Sequence, residues 1–70
     1  MLRLWYLDNS YVDYVVMTET VDGAWAKLAL HGIDRYGSEG TEDLEPAYND
    51  LVELKNNQLI ESANDTRFIL

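Results

Sequence analysis

Residues 11–29 read Tyr11-Val-Asp-Tyr-Val-Val-Met-Thr-Glu-Thr-Val-Asp-Gly-Ala-Trp-Ala-Lys-Leu-Ala29, and their periodicity changes halfway. Up to Met17 the stretch is aromatic and β-branched. Val12, Tyr14 and Val16 alternate with Tyr11, Asp13, Val15 and Met17, the period of two that marks a strand. Beyond Thr20 the period lengthens to about 3.6, with Val21, Trp25, Leu28, Ala29 and Gly32 along one stripe of a helix. Thr20, or Thr18, is placed to cap that helix, because a threonine hydroxyl accepts from the free amides of the first turn. Asp22 then falls where the helix dipole favours negative charge. Gly32 or Gly37 can end it, since glycine takes the left-handed C-terminal conformation without penalty. The stretch predicts a strand running into a helix over about residues 20–32.

Upstream, residues 2–7 (Leu-Arg-Leu-Trp-Tyr-Leu) repeat the strand composition. Asp8-Asn9-Ser10 separates the two strands with short polar side chains that bond the local backbone, so the N-terminus reads as a β-hairpin. Alternation puts Leu2, Leu4 and Tyr6 on one face of the first strand and Arg3, Trp5 and Leu7 on the other. The faces carrying Arg3 and Asp13 are expected to be half-solvated.

Downstream, residues 37–46 contain two glycines, a proline and four acids without a basic residue, the composition of a loop. A short helical turn around residues 42–49 fits within it. Leu51-Val52-Glu53-Leu54 resumes an apolar pattern before Asn56-Asn57. Residues 58–62 and 67–70 then read as two strands joined by Ala63-Asn64-Asp65-Thr66. The apolar ending Phe68-Ile69-Leu70 is expected to tuck into the sheet. The fold class is therefore α+β in a single domain over residues 1–70. It comprises an N-terminal β-hairpin, one main helix and a strand-rich C-terminal third that forms an antiparallel sheet packed on the helix. An alternative makes residues 42–55 a second helix.

Seventy residues with 13 acidic and 5 basic side chains carry a net charge of −8. That balance opposes direct binding to nucleic acid or an anionic membrane, both of which work through Lys and Arg. The hydrophobic share of 47 %, with 8 aromatic rings, is too high for a disordered chain. No apolar run reaches the length of a membrane span, and the first residues lack the pattern of a signal peptide. Without cysteine, disulfides and thiolate metal sites are excluded, and a reducing cytoplasm is the expected compartment.

Catalytic constellations are missing. His31 is the sole histidine and lies near the expected end of the helix, where it suits the dipole. The acid run Glu42/Asp43/Glu45 matches no calcium loop, and no phosphate-binding or zinc-protease motif occurs. The sequence predicts a non-enzymatic protein with no cofactor and no metal. Its sharpest signal is charge: between Asp34 and Glu53 stand seven acids against Arg35 alone. The candidate partner-binding residues are Asp34, Tyr36, Glu39, Glu42, Asp43, Glu45, Tyr48 and Asp50. Carboxylates interleaved with tyrosines suit a basic partner, because tyrosine buries much area at low entropic cost while keeping a polar tip. An acidic stretch of this kind also serves simply to keep a small protein in solution. Trp5, Tyr6, Tyr11 and Tyr14 put rings on both faces of the hairpin, and one helix covers only one face. The second reading is accordingly a structural or assembly protein, a homodimer or higher oligomer formed through the aromatic hairpin.

The segment Tyr14–Ala29 also resembles the strand-to-helix unit of small phage-encoded inhibitor proteins, of the anti-CRISPR and host RNA-polymerase-inhibitor type. In these an extended segment ending in Glu-Thr or Glu-Ser enters a helix with alanines on its packing face. The resemblance implies a cysteine-free α/β chain acting in the host cytoplasm. It would block a basic nucleic-acid-binding surface of a host protein complex and act as a DNA mimic.

Overall fold

The computed structural model describes residues 1–35, 44–55 and 60–70. Strands β1 (Arg3–Leu7) and β2 (Val12–Thr18) form the expected hairpin, antiparallel, with Trp5 opposite Val16 and Leu7 opposite Tyr14. Helix α1 (Val21–Leu30) follows after two residues. Thr20 is its N-cap: the backbone is extended (φ −131°, ψ 156°), and Oγ1 accepts from the Gly23 amide at 3.0 Å. His31 closes the helix, and Gly32 leaves it at φ +90°, a left-handed conformation that disfavours any side chain.

The chain then places β3 (Ile33–Asp34), β4 (Glu45–Pro46), β5 (Val52–Leu54) and β6 (Asp65–Ile69). The main sheet has the order β5-β1-β2-β6. β5 lies antiparallel to β1, whereas β6 lies parallel to β2, with Val12 opposite Asp65 and Val16 opposite Ile69. A two-residue parallel pair, β3 with β4, sits beside it. The sheet is thus mixed rather than antiparallel, and it is built from both ends of the chain rather than from the C-terminal third. Residues 60–62 and Ala63–Asn64 are not strand; the final strand begins at Asp65. The remainder of the expected strand 58–62 lies outside the described residues. The alternative of a second helix over 42–55 is not formed across its described residues 44–55: Glu45–Pro46 and Val52–Leu54 are extended.

Among the described residues, one cluster of buried side chains joins the sheet to the helix: Trp5, Leu7, Tyr14, Val16 and Ile69 from the strands, Ala24 and Leu28 from α1, and Ile33 beyond it. The hairpin alternation is as expected, but the solvated face is not. Trp5 and Leu7, which share a face with Arg3, form the core, and Arg3 reaches water only because it lies at the start of β1, where it pairs with Glu53 at 3.5 Å. Asp13, expected at a half-solvated face, is fully buried. The helix stripe is also rotated slightly. Ala24 is buried and Ala29 exposed, so the packed positions Val21, Ala24, Trp25 and Leu28 follow the i, i+3, i+4, i+7 rows of a helix. Ile69 is buried as a tucked strand end requires, while Phe68 and Leu70 face outward.

Leu28 is the largest helix side chain with no exposure, and it belongs with Ala24 to the core shared with the sheet. Leu28→Ala should lower unfolding free energy by about 2–5 kcal/mol, the range for a buried leucine whose cavity only partly collapses. Leu30, 87 % exposed two positions on, should tolerate the same change within about 0.5 kcal/mol. Urea denaturation of both variants measures the contrast.

Candidate functional site

The polar feature that organises the molecule is at the turn end of the hairpin. Asp13 lies one position before Tyr14, on the face turned away from the helix together with Tyr6 and Val15. Burying a carboxylate is expensive unless its oxygens are hydrogen-bonded. Here they are: the Tyr6 hydroxyl donates to Oδ2 at 2.6 Å, and Asn64 Nδ2 donates to Oδ1 at 3.0 Å. Burial raises the Asp13 carboxyl, but hydrogen bonds from Ser62, Tyr6 and Asn64 favour the ionised form more strongly and hold it below the ordinary aspartate range. The Tyr6 hydroxyl is correspondingly pushed up to about 12, by burial first and then by its bond to Asp13. Asp8 moves the other way from Asp13: desolvation raises its carboxyl, and so does the negative charge of Asp13.

Asn9 is the second buried polar group, 3 % exposed. Its side chain reaches the β4 segment. Nδ2 donates to the Pro46 carbonyl and to Glu45 Oε1, each at 3.4 Å, and Oδ1 accepts the Tyr48 amide at 2.8 Å. Its own carbonyl accepts from Asn64 Nδ2 at 2.9 Å, and the Asp8 carbonyl accepts from Asn49 Nδ2. One asparagine in the turn therefore fastens the segment before β5 and the segment before β6 to the same end of the hairpin. Gly32 and Asp34 carbonyls complete the seam by accepting the amides of Glu45 and Ala47.

This end of the sheet gathers Asp8, Glu45 and Asp50, all exposed, with Tyr11 and Tyr48 at 85 % and 62 % exposure. Glu45 approaches the core closely enough to raise the buried Tyr14 hydroxyl further than burial alone does. Asp34 is half-buried in β3, next to Arg35, whose guanidinium lies 5.4 Å from the Trp25 ring centroid. Of the eight residues expected to bind a partner, Asp34, Glu45, Tyr48 and Asp50 are thus brought to one region. Tyr36, Glu39, Glu42 and Asp43 lie outside the described residues.

Sequence reasoning missed the residues that hold this region together. Asn9 carries a turn signal but nothing that announces burial. In the sequence Asn64 and Ser62 have the character of ordinary turn and strand residues, and Asp13 that of a half-solvated position. Asp8 and Tyr11 were assigned to the hairpin, yet folding brings them beside acids some 35–40 positions along the chain, as the Asn9–Glu45 separation of 36 shows.

The arrangement presents charge and rings, with its buried acid fully engaged. No buried side-chain nitrogen or oxygen among the described residues lacks a partner. Nor, among them, do three or more His, Asp or Glu side chains converge as a metal-holding group. No helix among the described residues is long and apolar enough to cross a membrane. Compared with known proteins, the chain matches no family model, no curated sequence and no solved structure.

The two carboxyls give opposite pH signatures. A carboxyl held lower in the fold than in the unfolded chain stabilises the fold above about pH 4 and ceases to do so as pH falls through the folded value. Asp13 behaves this way. The raised Asp8 contributes fully below about pH 4, and its contribution is lost as pH rises through its folded value. Asp8→Asn should therefore raise the melting temperature at pH 7, with variant and parent converging below about pH 4. Thermal melts from acid to neutral pH check this, and an offset that stayed constant throughout would contradict it.

Proposed function

We propose that this chain is an acidic, non-catalytic binding protein that docks on the basic, nucleic-acid-binding surface of a protein complex. The observation that carries this reading is the end of the sheet where Asp8, Glu45 and Asp50 surround the exposed Tyr11 and Tyr48. Carboxylates occupy the positions that phosphates take against Lys and Arg, and they steer association through long-range attraction. The tyrosines supply rigid apolar area at small entropic cost, which charge alone does not. The buried Asn9 bonds fix these groups relative to one another before any encounter, so little ordering is required on binding. A net charge of −8 on 70 residues acts in the same direction.

The strand-to-helix segment Tyr14–Ala29 resembles that of small phage inhibitors, and the proposed mode of action is theirs: a DNA mimic made in the host cytoplasm that covers a working surface of a host complex. Glu39, Glu42 and Asp43 extend the acidic composition of this part of the chain, and Tyr36 adds a further ring.

The experiment is a pull-down from bacterial lysate at low salt with the full chain as bait, challenged with double-stranded DNA. A captured complex should be displaced by the DNA and by about 0.5 M salt, where the Debye length is only a few ångströms. A bait carrying Glu45→Lys, Asp50→Lys and Tyr48→Ala should lose it while keeping its melting temperature within a few degrees. Capture that survives both the triple change and the DNA challenge contradicts the proposal.

A further inference from the structure

The sheet's two edges differ. β5 has three residues, a length that offers little to another chain, whereas β6 has five, contains no proline, and among the described residues pairs only with β2. Natural edge strands are usually shortened, bulged or charged against further pairing. β6 is charged too, but with one acid and one base rather than with a single sign: Asp65 and Arg67 alternate, exposed and on one face, followed by Phe68 at 66 % exposure. Beside it, Leu30 (87 % exposed) and Leu70 (69 %) line a shallow apolar cleft between the end of α1 and the strand.

We propose that a second copy of this chain pairs antiparallel along β6, extending the sheet across a two-fold axis at Thr66. The occupant follows from the charges. In that register Asp65 stands opposite the second copy's Arg67, and Arg67 opposite the second copy's Asp65, so each interface contains two cross-strand ion pairs from one sequence. An Asp-x-Arg strand is self-complementary only when antiparallel to itself; laid parallel and in register, it sets like against like. Directly opposed unlike charges stabilise a strand pair and like charges destabilise it. The two-fold also sends the two acidic ends in opposite directions, which limits repulsion between chains of net charge −8. The edge and its apolar fringe are separate from Glu45, Tyr48 and Asp50, so this proposal stands or falls independently of the docking surface above.

Charge swapping tests it. Sedimentation equilibrium on the full chain should show a concentration-dependent dimer. Asp65→Arg alone and Arg67→Asp alone should each raise the dimer dissociation constant about tenfold or more, because both cross-strand pairs become like-charged. Mixing the two single variants in equal amounts should restore a dimer, since each then supplies the charges the other lacks, and this also shows that both have folded. The double variant Asp65→Arg/Arg67→Asp should dimerise like the parent. A parent that stays monomeric at several hundred micromolar overturns the proposal. So does a dimer indifferent to either single change.

Discussion

A charged oxygen pair with no access to water is what the rest of this structure has to accommodate. Asp13 lies inside a small sheet, and its ionised form is tolerable only while Tyr6, Ser62 and Asn64 supply hydrogen to it. Two of those donors come from the segment that leads into β6. The requirement to satisfy Asp13 is therefore also a requirement on topology. Asn64, held between Asp13 and the Asn9 carbonyl, delivers Asp65 beside Val12 at the start of β2. A strand that begins beside the beginning of its neighbour must run parallel to it. The mixed sheet follows from one buried carboxylate and one asparagine.

The same turn fixes the other half of the molecule. Asn9 uses its side-chain amide on Pro46 and Glu45 and its side-chain oxygen on Tyr48. Its neighbour Asp8 holds Asn49 through the backbone. These bonds bring the acids of the β4 region to the acids of the hairpin turn and leave Tyr11 and Tyr48 outside. Concentrating like charge costs stability; the raised carboxyl of Asp8 comes from its own desolvation and then from Asp13. The proposed function rests on this meeting of exposed acids and tyrosines.

Local features were legible in the sequence because local chemistry sets them. Thr20 caps a helix wherever an extended threonine precedes a helical stripe, and the change of period between Met17 and Val21 marks the strand-to-helix junction. Gly32 similarly marks the helix end. What could not be read are consequences of contacts between distant residues. A parallel strand buried on both faces reads as a continuous apolar run, whereas β6 opens with Asp65, Thr66 and Arg67, so its sequence carries no sign of its parallel direction. Alternation assigns Tyr6 and Asp13 to faces but not the face that water reaches; burial of Asp13 depends on Asn64, 51 residues away. The acidic character of the candidate region is visible in the sequence between Asp34 and Glu53, but its extension to Asp8 and Tyr11 requires the fold.

The most direct measurement is the NMR titration of the Asp13 side-chain carboxyl in the intact chain, compared with Tyr6→Phe. A carboxylate held by three donors should remain ionised well below the ordinary aspartate value of about 3.9, and loss of the Tyr6 hydroxyl should raise its midpoint. An Asp13 that titrates at or above the ordinary value, unchanged by Tyr6→Phe, would contradict the claim that a satisfied buried carboxylate sets the topology.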